Sequence, residues 1–163
     1  MNVRGLYGKE KLLQEELKKA NVDLAVIPET KKKLKGSQEL DDYILLYSGV
    51  PTNRRAAAGI VIMIKAKFKK RIHGYVFVNE RILQLRYKLQ RGYIALLSVC
   101  APEEGKTEQT EEFFETLQDQ IDKIRKTISL SLPEIIMQEL EIFLLTEFWV
   151  QMVKLLLTVM DTN

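Results

Sequence analysis

The sequence predicts an α/β fold of the α+β kind, with a helix on either side of a run of strands. Three observations carry this prediction. A charged helical segment leads into a short apolar strand and then a polar loop, which is the opening of an α/β unit. Strand-like runs follow one another between Tyr43 and Val99. A second amphipathic segment opens at Thr107.

Met1 to Gly8 reads as a strand end and a turn, punctuated by Gly5 and Gly8. Lys9 to Ala20 reads as a helix, with Leu6, Leu13, Leu17 and Ala20 on one face and Glu10, Glu15 and Lys18 pointing outward. Val22 to Ile27 is short, apolar and rich in β-branched residues, so it reads as a buried strand. Pro28 cannot donate to a sheet ladder and ends it. Lys31 to Asp42 is polar, holds Gly36 and Ser37, and reads as loop.

The strand-like runs are Tyr43–Tyr47, Ala58–Ile64, Ile72–Val78, Ile82–Leu89 and Tyr93–Val99. Gly49, Pro51 and Asn53 mark one turn and Arg91-Gly92 another. The succession predicts a meander with antiparallel pairing. Pro102 to Lys106 reads as loop, and Thr107 to Lys126 as a helix capped by Thr107. Phe113, Leu117, Ile121 and Ile124 recur at helical spacing and belong to a core.

From Thr127 to Asn163 the chain turns apolar, with no clear polar face. Phe143 to Met160 has the length of a membrane span, but Glu147, Gln151 and Lys154 lie inside it. A central charge costs roughly 2.5–3.5 kcal/mol on insertion, which argues against a span. An apolar helix that packs on a partner is the better expectation. The domain reading is therefore residues 1–126, with a divergent tail at 127–163.

Bulk composition narrows the classes. The 163 residues suffice for one domain with a sizeable core. A net charge of +3 permits nucleic-acid binding without arguing for it. One cysteine, Cys100, excludes an internal disulfide and a cysteine-built zinc site. One histidine, His73, excludes any mechanism that needs two. No signal peptide is read in the polar opening residues, which points to an intracellular protein.

Glu29 stands just past a strand's carboxyl end, where open α/β folds place ligands. There it is either a hard oxygen ligand suited to Mg²⁺ or a surface carboxylate beside Lys31–Lys33. Arg54 and Arg55, with Lys65 to Arg71, are candidates for contact with a nucleic-acid backbone or simply a solvated face.

Several short pieces come in one order: Asn2-Val3-Arg4-Gly5-Leu6, Pro28-Glu29-Thr30, Ala58-Gly59-Ile60, Arg81-Ile82 and Val99-Cys100-Ala101-Pro102. In that order the chain resembles the endonuclease/exonuclease/phosphatase superfamily, over about Met1 to Lys126. The likeness is greatest to the apurinic-endonuclease-like domains of retrotransposon and craniofacial-development-type proteins. The resemblance implies a four-layer α/β sandwich, here in part, and Mg²⁺-dependent phosphodiester cleavage of a nucleic acid, DNA. It also implies that Glu29 matches the family's metal carboxylate and that Asn2 matches its active-site Asn.

The departures are as telling. The family's Tyr-Ala-Pro is Cys100-Ala101-Pro102 here, so a thiol replaces a phenol. Cys100 reads as inert rather than nucleophilic. The family's Gly-Asp-Phe-Asn and Ser-Asp-His are missing from these residues. Met1 takes the place of the family's Trp, so the chain starts within a core strand. Codons compatible with Pro133–Gln138 read one base out of frame as Ala-Gly-Asp-Tyr-Asn-Ala, close to the missing motif. The tail is therefore expected to be a shifted-frame translation.

The expected function is thus a fragment of a retroelement-type, Mg²⁺-dependent endonuclease domain that lacks catalytic competence. Two alternatives stay open: a working nuclease that uses other residues, and a non-enzymatic binding protein that docks a partner through its apolar C-terminal helix.

Overall fold

The computed structural model describes residues 5–56, 58–89, 93–102, 107–131 and 142–145. Helix α1 spans Glu10–Lys19. Glu10 lies in its first turn and Lys18 and Lys19 in its last, which complements the helix dipole. Lys9 caps the helix without a side-chain hydrogen bond. Ala20, expected on the apolar face, lies just past the helix end and is exposed.

Strands β1 (Leu24–Ile27), β2 (Lys35–Glu39), β3 (Tyr43–Ser48) and β4 (Ile60–Lys65) form an antiparallel sheet in the order β1-β4-β3-β2. Strand β2 corrects the loop expected over residues 31–42. Its sequence, Lys-Gly-Ser-Gln-Glu, has no apolar alternation because it is an exposed edge. Only its ladder with β3, from Lys35↔Ser48 to Glu39↔Ile44, makes it a strand.

A 3-10 turn at Ala66–Arg71 crosses to a second sheet. It holds β5 (Ile72–Asn79), β6 (Ile82–Lys88) and β7 (Tyr93–Val99), an antiparallel meander as the sequence predicts. Helix α2 (Thr107–Ser131) then carries the chain back to β8 (Ile142–Leu145), which pairs parallel with β7. Helix α2 runs past Lys126, across the expected boundary between domain and tail. The described end of the tail is a strand, not the apolar helix expected there. The remainder of the proposed shifted-frame segment and of the 143–160 span lies outside the described residues.

Core composition shows four layers. Ala25, Ile27, Tyr43, Leu45, Val61 and Met63 face α1 with Leu6 and Leu13. The alternate residues, including Leu46, Ile60, Ile62 and Ile64, meet Leu83, Leu85, Tyr87 and Leu96 between the sheets. Ile82, Ala95, Leu97 and Val99 face Phe113, Leu117 and Ile124 of α2. Both faces of each sheet are thus covered, which is why β1, β4 and β7 read as continuous apolar runs rather than alternating ones. The expected sandwich of helix, sheet, sheet and helix is what these residues build. No helix among the described residues is long and apolar enough to cross a membrane.

Candidate functional site

Pro28 ends β1, and the next residues turn sharply. Glu29 and Lys31 both take positive φ, +54° and +52°. Between them Thr30 is fully buried and anchored: its N–H donates to the Gly59 carbonyl (3.1 Å), and its carbonyl accepts the Leu6 N–H (2.8 Å). The Lys31 N–H donates to the Ala58 carbonyl (2.8 Å). Gly59 has φ +91°, and a Cβ there would lie 2.9 Å from Thr30 Oγ1. That is the reason for glycine at this position.

The same line of hydrogen bonds continues into the second sheet. The Gly59 N–H donates to the Glu80 carbonyl (3.1 Å), and the Cys100 N–H to the Arg81 carbonyl (2.9 Å). The Arg81 guanidinium closes the corner, donating to the Cys100 (3.2 Å) and Ala101 (3.1 Å) carbonyls. Asn79 secures the turn: its side chain accepts the Arg81 N–H at 2.8 Å, and its carbonyl accepts the Ser48 hydroxyl at 2.7 Å. The pieces Pro28-Glu29-Thr30, Ala58-Gly59, Glu80-Arg81 and Cys100-Ala101 therefore meet at one end of both sheets.

This end opens into a groove of about 510 Å³, lined by Arg54, Arg55, Asn79, Glu80, Arg81 and Glu112 among others. Arg54 approaches Glu80 at 3.8 Å, while Arg55 makes no ion pair among the described residues. Guanidinium groups are fork-shaped donors suited to phosphate oxygens. The carboxylates of Glu80 and Glu112 oppose them, so the groove is mixed rather than uniformly positive.

Of the residues singled out in the sequence, Glu29 is exposed at the strand end and makes no hydrogen bond or ion pair among the described residues. Arg54 and Arg55 line the groove. Asn2 lies outside the described residues. Cys100 is a buried thiol whose backbone N–H and carbonyl both bond Arg81. The Lys65–Arg71 group does not join the site, because it leaves β4 at the opposite end of the sheet. There Lys65 and Lys67 pair with Asp23 (2.7 and 3.2 Å), and Lys69 pairs with Glu39 (2.5 Å). Burial raises the Asp23 pKa, but hydrogen bonds from Lys65 and Lys67 outweigh it and hold the carboxyl below its usual range. His73 is exposed on β5, its ring 4.7 Å from that of Tyr93.

Arg81 was not anticipated as a groove residue. Its signal was a cation at a two-residue turn between apolar strands, which the pattern alone does not separate from ordinary turn polarity. No three His, Cys, Asp or Glu side chains converge to hold a metal among the described residues. One free carboxylate does not make a protein cage. It fits Mg²⁺ of the kind bound by one or two carboxylates, with substrate phosphate and water completing the shell.

The fold defines the class. The chain is similar to the AP endonuclease LMAP from Leishmania major, with a TM-score of 0.60 and 15% identity over 81% of this chain and 49% of that one. It carries the α+β fold of the endonuclease/exonuclease/phosphatase type. Among curated proteins it is similar to craniofacial development protein 2 of Tragulus javanicus (29% identical over 122 residues) and of Bos taurus (28% over 122 residues). Each match covers 72% of this chain and 20% of the longer protein, so the chain spans about a fifth of those relatives. No family model matches the chain.

Proposed function

We propose that these residues form the carboxylate-bearing half of a Mg²⁺-dependent, retroelement-type endonuclease domain, one that engages a nucleic-acid backbone without hydrolysing it. The observation that supports this is that the turn bearing exposed Glu29 is tied through Thr30 and Lys31 to Gly59 and Ala58, at the sheet end where the groove of Arg54, Arg55 and Arg81 opens; Glu29 itself does not line the groove. A bound Mg²⁺ would be held by Glu29 and would neutralise phosphoryl charge. Arg54 and Arg55 would track the phosphates. The sequence holds neither Gly-Asp-Phe-Asn nor Ser-Asp-His, the motifs that supply the water-activating base and the histidine in the family this chain resembles. Loss of a general base alone removes about 10²–10⁴ in rate.

The test uses the 163-residue protein with Mg²⁺ and an abasic or nicked duplex. Binding without cutting is expected. Arg55→Ala should weaken it for all sequences alike and lower the salt slope by about one. Metal-dependent cleavage that disappears in Glu29→Ala would overturn the inactive reading.

A further inference from the structure

Tyr7 is 91% exposed, the barest of the large hydrophobic side chains among the described residues. A single exposed aromatic is ordinary on a protein surface; the signal here is where the ring stands and how it is held. Gly5 and Gly8 flank it with φ +83° and +74°. Leu6, beside it, is fully buried against α1 and the first sheet. The Leu6 N–H donates to the Thr30 carbonyl (2.8 Å), and the Leu6 carbonyl accepts the Lys9 N–H (2.9 Å). A pinned turn therefore presents the ring, one residue from the bond that ties it to the Glu29 turn. Through Thr30, Lys31, Ala58 and Gly59 that turn leads on to the end where the arginine groove opens.

We propose that Tyr7 is a stacking platform for an unpaired nucleobase, so that this sheet end takes a strand with at least one base out of its stack rather than a closed duplex. The inference rests on the backbone-binding reading given above and names its class of ligand. The surroundings choose the occupant. The exposed residues next to Tyr7 are Gly8 and Lys9, and those across the Leu6–Thr30 bond are Glu29 and Lys31. An apolar protein side chain seated here would have to bury ammonium and carboxylate groups at a cost. A nucleobase instead offers a π face to the ring and brings a phosphate on either side, which Lys9 and Lys31 can meet. Inside a closed duplex every base already has both faces stacked and has none to give until it is unpaired.

The test measures binding of the 163-residue protein to a labelled single-stranded oligonucleotide and to a fully paired blunt duplex of the same sequence. The single strand should bind more tightly. Tyr7→Ala should lower its affinity about tenfold, the loss of one base stack, and leave the duplex within about twofold. Tyr7→Phe should behave as the parent, because the ring and not the hydroxyl is used. Tyr7→Leu should behave as Tyr7→Ala, which a merely apolar contact would not. The salt slope should stay unchanged in Tyr7→Ala, since no phosphate contact is lost, whereas Arg55→Ala lowers it. A strand carrying 2-aminopurine should lose emission on binding the parent and not on binding Tyr7→Ala. Circular dichroism checks each fold, and the exposed position leaves the core untouched. Strand binding indifferent to Tyr7, or a Tyr7→Leu variant as tight as the parent, would overturn this inference alone. Failure to bind either strand or duplex would overturn the backbone-binding reading and this one with it.

Discussion

Gly49 is glycine for lack of space. A Cβ there would lie 1.8 Å from the Lys32 carbonyl oxygen and 2.8 Å from its carbon. Both are backbone atoms, held because the Gly49 N–H donates to Leu34 O (2.8 Å) and the Leu34 N–H donates to Val50 O (2.9 Å). Gly49→Ala must therefore push apart the segment that follows Glu29. A loss of about 3 kcal/mol in chemical denaturation is expected, at the upper end for overpacking. A change under about 0.5 kcal/mol, the range of an ordinary surface substitution, would show that this contact relaxes freely. The same segment carries the Lys32–Glu10 ion pair at 2.6 Å, with both side chains nearly nine-tenths covered.

Helix α2 and β8 form one element, a crossover that lays a parallel strand beside β7. The register runs from Ala95↔Ile142 to Ser98↔Leu145. A chain cut after Ser131 keeps α2 but exposes the edge of β7, a strand of seven residues with six buried. Its melting temperature should fall by about 2–8 °C, the equivalent of one to two kcal/mol in a domain of this size, and it should aggregate sooner on heating. Differential scanning calorimetry beside light scattering reads both. Unchanged melting would mean that β8 contributes nothing to the sheet.

At the scale of the molecule, two covered carboxylates govern acid stability. Burial pushes Glu10 up, but the Lys32 hydrogen bond and charge outweigh it, so its pKa lies below the ordinary 4.5. Asp23 lies below 3.8 by the same balance with Lys65 and Lys67. A carboxyl held more acidic when folded stabilises the fold above its unfolded pKa and loses that contribution as pH falls through the folded one. Stability should thus be flat above about pH 5 and decline below about pH 4.5. Glu10→Gln should be less stable at neutral pH and show a shallower acid decline, read as urea midpoints across pH.

Much of this architecture was legible in advance, for physical reasons. Strands β3, β4, β6 and β7 are apolar and β-branched because both their faces are covered. Pro28 fixed where β1 stops and so where Glu29 stands. Strand β2 was not legible, since its ladder comes from the backbone of β3 and its residues are largely exposed, with no apolar alternation to mark them. Glu10 was expected to point outward. Its partner lies 22 residues away, beyond the reach of any helical period. Arg81 was legible only as part of the Arg81-Ile82 piece; its place in the groove was hidden for the same reason, its acceptors being the carbonyls of Cys100 and Ala101 beyond the end of β7.

The order β1-β4-β3-β2 also dictates a sequence of events. Strand β2 pairs with β3 and β3 with β4, so their zippering closes only short loops. Strand β1 pairs with none of its neighbours in the chain: Ile27 must find Val61, and Leu24 must find Ile64. Its docking closes a loop of more than thirty residues, whose entropic cost is met before any contact rewards it. The turn that presents Glu29 hangs from the end of β1, so the candidate site is completed only once that long loop has closed. A hairpin-first nucleus built from β2 to β4 would form without it.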